Sequence, residues 1–273
     1  MRGSFEPFWN NRGQRPINWL LDNSKSYKKI IILLTALYFG SISVACSAEE
    51  LRDPALDQIV EKVKADYGIN LHYAQGPVPK FSGFNYGLAG VGDKEILKSA
   101  VLIFVQEIGL YPKDIFRYAH CQDIYFVKKF FYEELPIDGF FSLSTNYIFY
   151  DYLRGSNNTQ KTRHKIHHEI YHLIGIKHSF WKEHGPEWNA LNRAGFSYDP
   201  KYHPQERNPV NFYAPSELGF VTDYAMWSAE EDRAEVFACM MIPQEFRLLK
   251  QWAQKDNILF EKLKMMKEFL SRL

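Results

Sequence analysis

The stretch RHKIHHEIYH, residues 163–172, decides how this chain is interpreted. It contains the pattern H-E-x-x-H as His168, Glu169 and His172. In a helix, residues four apart lie one turn above each other, so both imidazoles can reach a single zinc ion. Glu169 would then lean towards the water that completes the metal's coordination. The pattern therefore predicts a zinc site with a neighbouring general base.

Apolar residues around the motif favour a helix at this place. Ile166, Ile170, Leu173 and Ile174 recur at a spacing of 3.6 residues, so one face of the helix would be buried under a core. The imidazoles would then lie on the other edge, as the floor of a cleft requires. The alternative is a surface helix with a histidine-rich face and no metal.

Length and charge restrict the class of protein. The chain has 273 residues, a net charge of +1 and 24% charged residues, which excludes a polyanion such as a nucleic acid as the partner. We predict one catalytic domain over residues 49–273, with an N-terminal part at 49–120 and a catalytic core at 121–273. The predicted fold class is α+β, with a small twisted sheet over the metal helix and a mainly helical C-terminal part.

Residues 1–48 are predicted to be a leader rather than part of the fold. Lys28 and Lys29 precede an apolar run from Ile30 to Cys46, and small residues follow, which is the order of a signal peptide. A retained membrane anchor is the alternative. Cys46 also ends a sequence that resembles a bacterial lipobox, although Ser43 stands where an apolar residue is expected. We therefore expect a bacterial protein that is exported, as a secreted, periplasmic or lipid-anchored form.

Capping residues and periodicity predict the other elements. Helices are expected after Asp53-Pro54, after Asp93 and after Ser228. Residues 124–131 and 140–152 are predicted as two strands, and the free edge of the second could pair with an extended peptide. Residues 185–221 are predicted as a long irregular connection, and residues 245–273 as one or two amphipathic helices. Cys121 and Cys239 remain after the leader, either as a disulfide or as core thiols.

Catalytic zinc commonly takes three protein ligands, and two residues compete for the third position. His178 completes H-E-x-x-H-x-x-G-x-x-H, if Gly175 turns the chain back towards the metal. Glu231 is the other candidate. It lies four residues before Glu235 on one helix face, where two acids repel unless a cation or donor lies between them. Glu231 could instead close a capping box with Ser228, but that would not explain Glu235. His164, His167 and His184 are interpreted as residues that do not bind the metal.

The segment Asp223 to Ala238, DYAMWSAEEDRAEVFA, resembles the gluzincin branch of the zincin metallopeptidases when it is taken together with HEIYH. That branch includes the catalytic domain of anthrax lethal factor, the bacterial Pro-Pro endopeptidases and a broad set of zinc-binding metallopeptidases. The resemblance extends from about Tyr147 to the C-terminus. Tyr171 departs from it, because a small residue is common between the histidines. The His178 pattern belongs to the metzincins instead, with Met226 as a candidate Met-turn.

The resemblance implies a set of roles for individual residues. His168, His172 and Glu231 would bind Zn²⁺, and Glu235 would accept the second N–H of a ligand histidine. Glu169 would act as the general base, and Tyr224, seven residues before Glu231, would donate to the oxyanion. The expected function is an exported zinc endopeptidase that acts on a peptide or protein substrate. The alternatives are a catalytically inactive zincin that serves as a binding module and a zinc hydrolase of a non-peptide substrate.

Overall fold

The computed structural model describes residues 48–73, 78–199 and 217–273. The predicted leader, including Cys46, lies outside these residues except for Ala48, which begins a short helix, α1 (Ala48–Leu51). Within the described part of the chain, no helix combines the length and the apolar composition needed to cross a membrane.

Two helices of the N-terminal part begin where the sequence predicts. Helix α2 (Pro54–Tyr67) starts after Asp53, whose Oδ1 accepts hydrogen bonds from the backbone N–H groups of Ala55 and Leu56. It ends at Gly68, which adopts a positive φ of 72°. Helix α3 (Lys94–Ile108) follows Asp93, and a short helix, α4 (Ile115–Tyr118), leads into the sheet. The predictions for α2 and α3 are therefore confirmed.

The sheet contains parallel and antiparallel strand pairs. Its strands are β1 (Asn70–His72), β2 (Phe84–Gly87), β3 (Asp123–Tyr132), β4 (Leu135–Pro136), β5 (Gly139–Ser142) and β6 (Tyr147–Asp151). The order is β1-β3-β6-β5, in which β1, β3 and β6 are parallel and β5 runs antiparallel to β6. Strands β2 and β4 pair with β3 in antiparallel orientation. Strand β5 thus forms one edge of the described sheet.

Helices α5 (Thr159–Lys177), α6 (Phe180–Ala190), α7 (Ala229–Met241), α8 (Pro243–Ala253) and α9 (Asn257–Arg272) follow the sheet in the described part of the chain. Helix α5 carries the H-E-x-x-H residues and packs its apolar face under the sheet, where Tyr150 of β6 donates a hydrogen bond to the Ile166 carbonyl. This arrangement confirms the α+β class and the mainly helical C-terminal part. The predicted division into an N-terminal part and a catalytic core stays a prediction.

Two predicted elements were wrong in their extent. Residues 140–152 form a hairpin rather than one strand, because the chain turns between β5 and β6, where Asn146 adopts a φ of 58°. The predicted irregular connection, residues 185–221, begins inside helix α6 (Phe180–Ala190), which continues through Gly185 and Pro186. Burial of Trp188 in the core outweighs the low helix propensity of these two residues. Residues 200–216 of that connection lie outside the described part.

The two described cysteines are not paired. Cys121 and Cys239 are both buried free thiols. Burial raises the pKa of each thiol to about 12, so both behave as small core residues.

Candidate metal centre

Helix α5 places the two histidines of the motif side by side. Asn158 caps the helix by accepting a hydrogen bond from the Lys161 backbone N–H, and the helix continues without interruption to Lys177. His168 and His172 therefore lie one turn apart, and their Nε2 atoms are separated by 3.1 Å. The two rings point the same nitrogen towards a common position, as two ligands of one ion do.

Helix α7 brings Glu231 to the same position. Ser228 caps α7 by accepting a hydrogen bond from the backbone N–H of Glu231, which fixes this residue in the first turn. The Glu231 carboxylate lies 2.9 Å from Nε2 of His168 and 3.4 Å from Nε2 of His172. One ligand atom from each of the three residues lies within 4.8 Å of the other two. The structure thus brings together the residues that sequence analysis predicted as ligands.

The geometry and charge of this cluster fit a divalent cation. The buried Oε2 atom of Glu231 is close to Nε2 of His168 but is not aligned with it as a hydrogen bond, so the two groups converge on a shared point. Burial opposes charge on His168, yet its contacts with Glu231 and Glu235 outweigh burial and raise its pKa to about 10. The carboxylates therefore stabilise positive charge at this point. Two imidazoles and one carboxylate are a ligand set that zinc accepts.

Glu169 and Tyr224 lie beside the metal ligands. The Glu169 side chain is buried between helix α5 and Gly139 of strand β5, and burial raises its pKa. A raised pKa suits a group that takes up and releases a proton near neutral pH. The Tyr224 ring lies in a short turn before α7, with its centroid 5.7 Å from that of His168.

Glu235 lies one turn after Glu231 and contacts the opposite nitrogen of the same histidine. Its Oε1 atom lies 2.8 Å from Nδ1 of His168, and its Oε2 atom accepts a hydrogen bond of 2.7 Å from the Thr222 hydroxyl. Burial alone would raise the pKa of Glu235, but the imidazoles of His164 and His168 lower it well below the ordinary value. A carboxylate in this position can orient the His168 ring so that Nε2 faces the metal.

His178, the alternative third ligand, lies outside this group. It follows the last residue of α5, its ring contacts Phe269, and its Nδ1 accepts a hydrogen bond from the Phe180 backbone. The turn at Gly175 that the His178 alternative requires is not present, because Gly175 lies inside α5. A Cβ atom there would lie 2.9 Å from the Tyr171 ring, so this glycine makes room for the tyrosine.

Sequence analysis missed a second layer of buried polar groups. His164 lies one turn before His168, between the carboxylates of Glu235 and Glu245. On the far side of α7, Asp232 accepts hydrogen bonds from Trp188, Tyr198 and Lys262, all on Oδ2. The repeat of histidines at 164, 168 and 172 was the one signal for the first of these groups.

A comparison with protein families gave a match to the C-terminal part of the chain. Residues 145–271 match the family model described as "putative zinc-binding metallo-peptidase". The match begins just before strand β6 and ends in helix α9, so it includes every residue of the candidate centre except Gly139. Neither the curated proteins nor the solved structures gave a match to the chain.

The family match agrees with the resemblance that the sequence carries. The predicted likeness to zinc metallopeptidases, which was expected from about Tyr147 to the C-terminus, is confirmed over nearly the same residues. Helices α1 to α4 and strands β1 to β5 precede the matched part. The five strands pair with β6 or with each other to form the rest of the sheet that covers α5.

Proposed function

We propose that this protein is a zinc-dependent endopeptidase with a zincin-type fold of the gluzincin branch. The observation that carries the proposal is the Glu231 carboxylate, which approaches both Nε2 atoms of the H-E-x-x-H pair from a helix about sixty residues further along the chain. The family match, described as zinc-binding, supports the same conclusion.

His168, His172 and Glu231 would hold the ion, and Glu235 would keep the Nδ1 side of His168 occupied. Zinc in such a site lowers the pKa of water to about 7 and polarises a carbonyl group. Three protein ligands leave a coordination position open for water and substrate, which is the arrangement of catalytic rather than structural zinc sites.

The chain's own side chains would handle the proton and the developing charge. Glu169 would take the proton from the attacking water at its carboxylate and pass it to the nitrogen of the leaving amine. The Tyr224 hydroxyl would donate a hydrogen bond to the oxygen of the scissile carbonyl as that oxygen becomes negative. Glu169 directly follows His168 in the chain, and the Tyr224 ring lies 5.7 Å from the His168 ring between centroids.

The sheet edge supports a peptide as the substrate. Strand β5 ends the described sheet beside β6, and its first residue, Gly139, contacts Glu169. An extended peptide that paired with the outer edge of β5 would lie beside the strand that contacts the general base. We further propose that residues 1–48 direct export, either with cleavage or with a lipid anchor on Cys46, and that the chain has no nucleic-acid partner.

A peptide-library digest tests this proposal. We expect the purified chain to cleave peptides internally, and we expect chelation of the metal or the change Glu169→Gln to abolish cleavage. General acid–base groups of this kind contribute about 10²- to 10⁴-fold to turnover. Equal inactivity of the wild type and Glu169→Gln on every peptide would contradict a protease and favour a zinc-containing binding module. Turnover of small esters or amides without peptide cleavage would favour a hydrolase of non-peptide substrates.

A further inference from the structure

His164 forms a buried connection behind the proposed zinc ligands. It lies one turn before His168 on α5 and is only 2% exposed. Its Nδ1 atom lies 2.6 Å from Oε2 of Glu245 on α8, and its Nε2 atom lies 3.3 Å from Oε1 of Glu235 on α7. The imidazole therefore joins three helices at one point.

The two carboxylates beside His164 favour the protonated form of its imidazole. Each ring nitrogen of His164 faces a carboxylate oxygen, and an imidazole can donate from both nitrogens only when it is protonated. Glu235 and Glu245 are both 1% exposed. Buried carboxylates require donors or an opposite charge, and an imidazolium between them supplies both. A protonated His164 would therefore serve both buried carboxylates at once.

One of these two carboxylates, that of Glu235, also contacts a proposed metal ligand, His168. Oε1 of Glu235 lies 3.3 Å from Nε2 of His164 and 2.8 Å from Nδ1 of His168, the second as a close ion-pair contact that is not aligned as a hydrogen bond. Oε2 accepts a hydrogen bond from the Thr222 hydroxyl, so Glu235 contacts both histidines and the threonine. The contacts form a continuous series from Glu245 through His164 and Glu235 to His168.

We propose that His164, held by Glu245, is a positioning residue for the zinc centre. Its Nε2–H fixes Oε1 of Glu235 against Nδ1 of His168 and so directs Nε2 of His168 towards the ion. If the His164 imidazole is removed, the Glu235 carboxylate keeps only its hydrogen bond from Thr222 and can rotate. The His168 ring then loses its fixed orientation. The inference rests on the proposed function to the extent that zinc binds at His168, His172 and Glu231.

The sign of the change in affinity separates this role from a simple electrostatic one. Removing a cation close to a divalent ion would strengthen zinc binding if charge alone mattered, because like charges repel. Removing a positioning residue weakens zinc binding, since groups that orient metal ligands typically contribute 10- to 100-fold to affinity. His164 acts one contact further away, so we expect a loss of about tenfold.

His167 offers a matched control on the same helix. It is fully buried, its Nε2 lies 2.9 Å from Oε2 of Glu107, and its Nδ1 lies 2.6 Å from the Tyr111 hydroxyl. The two histidines thus share a helix, their burial and a buried glutamate partner. Only the contacts of His164 lead through Glu235 to His168.

The experiment measures the zinc Kd of the full chain by competition with a chromophoric chelator. His164→Gln is compared with His167→Gln, and Glu245→Gln with Glu107→Gln, and urea unfolding of each metal-free protein records its stability. We expect His164→Gln and Glu245→Gln to bind zinc about tenfold more weakly than the wild type. We expect His167→Gln and Glu107→Gln to keep the wild-type Kd even where they unfold at lower urea. If His164→Gln does not fold, the pair Glu245→Gln and Glu107→Gln decides.

Several results would overturn the inference. Unchanged or tighter zinc binding by His164→Gln and Glu245→Gln would do so while leaving the proposed function intact. Equal weakening in both pairs would show a loss of general stability instead. The side chains of His164, Cys239 and Glu245 also lie close enough together to hold an ion of their own. Two zinc ions per chain, one of which is lost in Cys239→Ser, would therefore make His164 a metal ligand. A wild type that binds no zinc would remove the proposed function and this inference together.

Discussion

A Cβ atom on Gly139 would lie 2.7 Å from Oε1 of Glu169 and 2.9 Å from its Cγ. Real side chains do not approach each other so closely. Edge strand β5 and helix α5 are therefore in contact at the glutamate of the H-E-x-x-H motif. The missing side chain at position 139 provides the space that the Glu169 carboxylate occupies.

We predict that Gly139→Ala displaces the Glu169 carboxylate and lowers the kcat of peptide cleavage. A misplacement of about 1 Å at a reacting group can cost about 10²-fold. Zinc content should stay unchanged, because the three atoms nearest to a Cβ at position 139 all belong to Glu169 and none to a proposed ligand. Gly92→Ala is the control, since a Cβ atom there meets nothing within 4 Å. Full activity in Gly139→Ala would show that Glu169 does not act from its present position.

We predict that Tyr224→Phe lowers kcat by about 10²- to 10³-fold, because it removes one hydrogen-bond donor to the oxyanion. The ring keeps its position between His168 and Trp227, so the zinc Kd should not change. Tyr86→Phe serves as the control, because the hydroxyl of Tyr86 donates to the Val78 and Pro79 carbonyls instead. Wild-type kcat in Tyr224→Phe would assign the tyrosine to packing alone.

We predict that Gly175→Ala destabilises the protein without loss of zinc. The added Cβ would lie 2.9 Å from the Tyr171 ring in the core, and overpacking of this kind costs about 1–3 kcal/mol. The higher helix propensity of alanine offsets about 1 kcal/mol of this cost. Urea denaturation measures the change in the free energy of unfolding. An unaltered free energy of unfolding combined with loss of zinc would instead favour a turn at Gly175 and binding by His178.

Local signals in the sequence were sufficient for several elements of the fold. Asp53-Pro54 and Gly68 delimit α2 because caps act within a few residues. The β5–β6 hairpin was missed although Ser144, Thr145 and Asn146 are residue types that favour a turn, because the aromatic residues on both sides were interpreted as one continuous strand. Helix α6 was missed because its stability comes from burial of Trp188, which depends on residues distant in the sequence.

The proposed ligands and Glu235 could be predicted from the sequence because they form two pairs, and the members of each pair lie four residues apart on one helix face. His168 and His172 follow this rule, and so do Glu231 and Glu235. The role of Gly139 was not accessible, because nothing in its local sequence shows that the strand passes over Glu169. The contact between His164 and Glu245 was equally hidden, since it requires the packing of α5 against α8.

The zinc content of Glu231→Ala and His178→Ala, measured by mass spectrometry on the purified full chain, tests the central claim most directly. We predict one zinc ion per chain in the wild type and in His178→Ala, and loss of zinc from Glu231→Ala. The reason is that the carboxylate, and not the His178 ring, lies with the Nε2 atoms of His168 and His172. Full zinc content in Glu231→Ala would contradict the account.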